Sequence, residues 1–218
     1  MSHKVFLLGD STCANKRSEV YPETGWGMCF YSYLKQGWIV DNRAVNGMSS
    51  KSALANGVFD ALLKDVSPDD YVIIQFGHNE DKPDEERHTE PWSTYMDNLA
   101  YMATKLQEKQ AHVIFISSIE RRRFENGREQ DSLHDYPVAM EQCAKDLSIP
   151  FIDMTRPTLE LIQTLGFEGS RQLFMNLDLH IWPNFPEGLE DNTHLSHFGA
   201  QTIAKMIAQK LKNFPFIC

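Results

Sequence analysis

The chain has 218 residues, 42% hydrophobic and 23% charged, enough for a sizeable core in one domain spanning 1–218. Its 21 Lys and Arg against 30 Asp and Glu leave a formal net charge of -9 with no basic stripe, which argues against nucleic acid or an anionic membrane as a partner. No apolar run is long enough to span a bilayer. The N-terminus, Met1-Ser2-His3-Lys4, leads straight into a strand with no signal peptide before it. A cytoplasmic protein is the expectation, or a secreted one if a leader has been trimmed. Cys13, Cys29, Cys143 and Cys218 are scattered, with neither Cys-x-x-Cys nor zinc spacing, so free thiols are expected.

In chain order, Val5-Phe6-Leu7-Leu8 reads as a short buried strand that runs into the turn Gly9-Asp10-Ser11-Thr12. A loop leads to Gly25-Trp26-Gly27 and a helical segment from Met28 to Leu34. The apolar run Trp38-Ile39-Val40 leads to Asn46-Gly47. Ser49 and Ser50 are candidate caps for a helix to about Lys64. Tyr71-Val72-Ile73-Ile74-Gln75-Phe76 is the strongest strand, apolar enough to be covered on both faces, and it ends at Gly77-His78-Asn79-Glu80. An amphipathic helix follows from Pro91 to Gln110, with Tyr95, Leu99, Met102 and Leu106 on one stripe. Next come a strand over 112–116, the triplet Arg121-Arg122-Arg123, a helix over Tyr136–Leu147, a short strand at 150–153 and a helix through Leu165. The stretch 166–190 reads as long irregular loops. Asp191 and His194 are expected outside the strands, just before a helix from Gly199 to about Leu211. Strand and helix alternate throughout, which implies an α/β domain with a mainly parallel sheet and helices on both faces. Ligands in such sheets sit beyond the carboxyl ends of the strands, which points to Ser11, Gly47, Asn79 and Arg121.

A serine is a weak nucleophile until a base takes its proton, and a histidine does so when a carboxylate fixes its tautomer. Asp191 and His194 offer both groups at a spacing of three; the plain alternative is an Asp that caps the next helix beside a surface His. An oxyanion needs donors aimed at it, and three stand at strand ends: the N–H of Ser11, the N–H of Gly47 and the side-chain amide of Asn79. Cys13 is a rival nucleophile two residues past Ser11, although cysteine is often a small core hydrophobe. His194 and His197 read as a candidate metal pair, as does a set including His180, but no third ligand has convincing spacing, so neither a metal nor a cofactor is expected.

Gly9-Asp10-Ser11-Thr12, Asn46-Gly47-Met48-Ser49-Ser50, Gly77-His78-Asn79-Glu80 and Asp191-Asn192-Thr193-His194 resemble, in order, the four blocks of the SGNH (GDSL-type) hydrolases. Gly-Asp-Ser-Thr, Thr24-Gly25-Trp26-Gly27, Gln75-Phe76-Gly77-His78-Asn79 and Arg121-Arg122-Arg123-Phe124 make the rhamnogalacturonan acetylesterases the nearest resemblance within that superfamily. The resemblance implies a flavodoxin-like three-layer α/β/α sandwich around a five-stranded, mainly parallel sheet. It implies an ester hydrolase with Ser11 as nucleophile, His194 as base, Asp191 as its orienter, and Ser11, Gly47 and Asn79 as oxyanion donors. The partner it implies is an acetylated carbohydrate. One departure is Glu80, where the family usually has Asp, which leaves the local hydrogen bonds open.

Substrate contacts are less defined. His78 and Arg121 are candidates, Arg121 because its planar fork suits a uronate carboxylate, although any Arg of the triplet could merely be a solvated ion-pair partner. Among Trp26, Trp92, Trp182, Phe185 and Tyr136, most are expected in the core, and Trp182 is the candidate for stacking on a sugar ring. A lipase or thioesterase, an acetylxylan esterase, a flavodoxin-like binding domain and a non-catalytic sugar-binding protein stay open as other readings. Asp10, sitting where a phosphate would be repelled, argues against a phosphate-binding loop.

Overall fold

The computed structural model describes residues 3–218. Its main sheet holds β1 (His3–Gly9) between β2 (Trp38–Asn42) and the central strand β3 (Tyr71–Gln75), with β4 (His112–Ile116) and β5 (Phe151–Ile152) beyond β3. All neighbours are parallel, in the order β2-β1-β3-β4-β5, which is the flavodoxin-like order. The order reverses at β1, so a crevice opens beyond the carboxyl ends of β1 and its neighbours.

The apolar strands are continuous because each face has its own core. Phe6 and Leu8 point to one side with Val72, Ile74 and Phe115, against α2 (Ser50–Ala55), α3 (Val58–Asp65), α4 (Met96–Glu108) and α5 (Tyr136–Asp146). Val5 and Leu7 point to the other side with Ile73 and Ile114, against α1 (Trp26–Phe30), α6 (Thr155–Gly169) and α7 (His197–Lys210). The alternation along β1 therefore builds the three layers directly.

Several expected boundaries move. The helix expected from Ser49 or Ser50 to Lys64 is two helices, broken at Asn56-Gly57, where Gly57 is left-handed at φ 71°. Ser49 caps α2, and its side chain and that of Ser52 bond reciprocally to backbone N–H groups. The helix expected from Pro91 opens with one π-helical turn, Pro91–Tyr95. The helix expected to end at Leu165 continues to Gly169 past a non-helical Gly166. The largest correction lies in 166–190. That stretch contains a helical turn at Ser170–Leu173 and β6 (Phe174–Leu177), which pairs antiparallel with β7 (Leu189–Leu195). Asp191 and His194 thus lie on a strand, not outside the strands. The short range of β6 and its mix of polar and apolar residues carry no clear period, so the pairing is visible only in three dimensions.

Candidate active site

Ser11 follows β1 in a turn tied down by its neighbour. The Asp10 carboxylate accepts the Thr12 N–H at 2.9 Å and the Thr12 hydroxyl at 2.8 Å, which gives Thr12 its role. The other Asp10 oxygen accepts Gln75 Nε2 and pairs with His78 Nδ1, both at 3.0 Å. Burial opposes ionisation of Asp10, but His78 and the Thr12 hydrogen bonds outweigh it and hold the carboxyl below its ordinary range. Asp10 is thus spent on the turn. The Gly25-Trp26-Gly27 segment braces the same turn from behind. The Trp26 backbone N–H donates to Thr12 O at 2.9 Å, and a Cβ on Gly25 or Gly27 would lie 2.1 or 2.6 Å from the Ala14 or Cys13 carbonyl oxygen. Only glycine permits this approach.

The base comes from an unusual strand. Phe174 pairs with Leu195 while the next residue, Met175, pairs with Asp191, so residues 192–194 bulge out of β7. In a regular strand, residues three apart face opposite ways. The bulge brings Asp191 and His194 to one side. Asp191 Oδ1 accepts the N–H groups of Thr193 at 2.8 Å and His194 at 3.0 Å, and Oδ2 lies 2.7 Å from His194 Nδ1. His194 Nε2 lies 3.0 Å from Ser11 Oγ. Burial alone would raise the Asp191 carboxyl, but the bonds from His194 and the two N–H groups bring it down to about 2. The hydrogen bond to Asp191, opposed by partial burial, lifts the His194 imidazole above its ordinary value. The helix cap that Asp191 could have been is Ser196, whose hydroxyl accepts the Gly199 N–H at 3.0 Å.

Ser11, Gly47 and Asn79 line one cleft of about 520 Å³ and bring three donors to it. Among the described residues, no acceptor takes up the N–H of Ser11 or of Gly47. Gly47 holds a left-handed φ of 73°, which an L side chain would strain. Asn79 is anchored by one amide hydrogen to Met48 O at 3.0 Å, which leaves the other for the cleft. Glu80 sets this pair of loops. Its Oε1 accepts the Ser50 N–H at 2.7 Å and its Oε2 the Asn79 N–H at 3.1 Å, so the longer side chain bridges the β3 end to the start of α2. Burial pushes the Glu80 carboxyl up to about 8, against the pull of those N–H groups.

A nucleophile turn, an Asp-His pair and three donors around one cleft are what an acyl-transfer site needs. The sequence model of the GDSL-like Lipase/Acylhydrolase family matches residues 7–201. The chain belongs to that family. It is a carboxylic ester hydrolase. A relative from Bacillus subtilis (strain 168), "Rhamnogalacturonan acetylesterase RhgT", is 40% identical over 210 residues, 96% of this chain and 89% of its own length. A second from the same strain, "Probable rhamnogalacturonan acetylesterase YesY", is 33% identical over 213 residues, covering 97% and 94%. The crystal structure of the B. subtilis protein YXIM superposes with a TM-score of 0.82 at 22% identity. The match covers 97% of this chain but 56% of that one, and at this identity it shows the fold alone.

In this acylhydrolase the remaining candidates separate. His78 lines the cleft but is buried, with Nδ1 on Asp10 and Nε2 on Ile119 O at 2.8 Å, so no ring nitrogen is left for a substrate. The Arg triplet splits three ways. Arg121 lines the cleft, its guanidinium donating to the neutral carbonyls of Ser132 at 2.9 Å and His78 at 2.7 Å. Arg122 is buried behind the bulge, stacked over Phe167 at 4.3 Å, and it donates to Asn192 Oδ1 at 2.8 Å. Arg123 is exposed and pairs with Glu125. Trp182 does not line the cleft; its ring meets the edge of Tyr21 at 5.7 Å. Trp26 and Tyr136 are buried, and Trp92 is exposed with its N–H on Asp135. Burial and the nearby Asp10 push the Cys13 thiol well up, so Cys13 stays a thiol. All four cysteines are free. Lys82 and Arg87, unmarked by any motif, also line the cleft, and the Lys16–Glu23 pair stands at its edge. Their only signal is a charged loop, which is usually a solvated face.

Proposed function

We propose that the chain removes acetyl groups from an acidic pectic carbohydrate of the rhamnogalacturonan type, through an acetyl-enzyme on Ser11. The observation that carries the mechanism is the unbroken line from Asp191 Oδ2 through His194 to Ser11 Oγ, at 2.7 and 3.0 Å, opposite Gly47 and Asn79. The substrate class is supported by the names of the two Bacillus relatives and by Lys82, Arg87 and Arg121 around the cleft of a chain whose net charge is -9.

His194 Nε2 takes the Ser11 proton as Oγ attacks the acetyl carbonyl carbon. Negative charge moves to the carbonyl oxygen, which the N–H groups of Ser11 and Gly47 and the free amide hydrogen of Asn79 receive. The intermediate collapses as His194 gives its proton to the departing sugar oxygen. Water then attacks the acetyl-enzyme while His194 again takes a proton, acetate leaves, and Ser11 regains its hydrogen. Asp191 holds the imidazole with Nδ1 protonated and steadies the imidazolium.

A fluorophosphonate is expected to add one adduct, on Ser11. Label on Cys13, or none on active protein, rejects the mechanism. Acetate release is then compared across acetylated rhamnogalacturonan oligosaccharides, acetylated xylan and long-chain acyl esters. Preference for either of the latter two rejects the pectic substrate while leaving the mechanism standing.

A further inference from the structure

A second cavity of about 670 Å³, within the usual size range of ligand sites, lies beside the cleft. It is formed by the loop around residues 16–24, the end of α1 with the turn after it, and the first turns of α7. Glu23 lines both spaces. Lys16 forms the sill between them: its Nζ reaches Glu23 at 2.6 Å and Asn46 Oδ1 at 2.7 Å, and its side chain is 2% exposed. Cleft and cavity thus adjoin across the Lys16–Glu23 pair.

The second cavity has a particular chemistry. Tyr21, Tyr31 and Phe198 line it and are 46%, 68% and 52% exposed, so their faces are open to a ligand. Tyr21 is steadied by Trp182 at 5.7 Å and His197 at 6.0 Å. Arg17 and Lys205 line the same cavity. Among the described lining residues Glu23 is the one acid, and Lys16 pairs with it. The chain averages strongly negative, yet the two adjoining spaces are lined by Lys16, Arg17, Lys82, Arg87, Arg121 and Lys205 against Glu23 and Asp191, with Lys16 paired to Glu23 and Arg87 to Asp84. A lipid chain would want apolar walls without this charge. A sugar ring wants an aromatic platform for its C–H face, and a uronate wants a cation beside it.

We propose that this cavity is a second carbohydrate subsite, which holds the units of an acidic oligosaccharide that run on from the acetylated unit in the cleft. Tyr31 and Phe198 are its platforms, Tyr21 is a ring already held in place by Trp182 and His197, and Arg17 and Lys205 receive uronate carboxylates. This rests on the reading of the cleft as a pectic esterase site.

The test is direct titration calorimetry with a de-acetylated acidic rhamnogalacturonan oligosaccharide, against the parent protein, Tyr31→Ala, Phe198→Ala and Lys205→Glu. Each variant is expected to weaken binding by about tenfold, the scale of one ring contact or one partly screened charge. Added salt weakens the parent, and a neutral xylo-oligosaccharide of equal length binds more weakly throughout. The same affinity in all four proteins, or no saturable binding to the parent, overturns the proposal. So does a variant that changes the sedimentation coefficient and not the affinity, which makes the cavity a contact between copies. Failure of the esterase reading shows elsewhere, as absent fluorophosphonate label on Ser11, and leaves these titrations readable.

Discussion

At the scale of single residues, the chemistry depends on which groups are spent and which are left over. Asn79 has two amide hydrogens and spends one on Met48 O. Asn79→Ala is expected to lower kcat by roughly 10²–10³ while KM changes little, the usual cost of one oxyanion donor. A loss under about tenfold would make Asn79 a loop anchor only. His194 must be neutral to accept the serine proton, and its pKa is raised by the bond to Asp191. Activity therefore rises with pH along an acidic limb set above the ordinary histidine value. Asp191→Asn removes the stabilising charge, so the limb moves to lower pH while kcat falls on the order of 10⁴, because the imidazole also loses its tautomer. A pH–rate profile of kcat/KM reads both effects. An unmoved limb would mean that Asp191 does not tune His194.

At the scale of elements, the Asp191–His194 pair is a property of the bulge in β7. Asn176 Nδ2 donates to the Asp191 and Asn192 oxygens from β6. Arg122 grips the same bulge from the β4 side: its backbone N–H donates to Asn192 O at 2.8 Å and its guanidinium to Asn192 Oδ1. Arg122 is thus a positioning residue. Lysine keeps the charge but cannot reproduce the fork that also reaches Ser170 and Phe167. Arg122→Lys is expected to cost about 10² in kcat with KM nearly kept, since a shift of about an ångström is enough. The acidic limb should fall with it as the Asp191–His194 bond loosens. A change in thermal stability with kcat and limb intact would reduce Arg122 to a core contact.

At the scale of the whole molecule, Glu80 ties the end of β3 to the start of α2 and so couples the two loops that carry Asn79 and Gly47. Its folded-state pKa is raised from 4.5 to about 8. Below the lower value it is neutral in both states. Between the two values the unfolded chain loses the proton and the folded chain keeps it, so stability falls as pH rises through this window. Glu80→Gln is expected to flatten the decline in thermal midpoint on going from acidic to mildly alkaline pH, and an equal slope in parent and variant would refute the assignment. The architecture itself was legible in the sequence. The alternation of β1, α helices and β3 required a parallel sheet, and the apolar run 71–76 required cover on both faces. The ends of those strands marked Ser11, Gly47 and Asn79, because residue type and local turn chemistry act over short distances. The split of the helix after Ser49 at Gly57 was within reach of the same rules, since glycine breaks helices. Other features are decided by contacts far apart in the chain. The bulge that turns Asp191 and His194 to one side exists only because β6 pairs with β7. The division of the three arginines into one at the cleft, one buried and one in solvent depends on what packs around each. Whether Trp182 meets a substrate or Tyr21 is likewise a matter of neighbours brought together by folding. A sequence states the type and spacing of residues, while the partner of a polar group and the face of a ring are settled by tertiary packing.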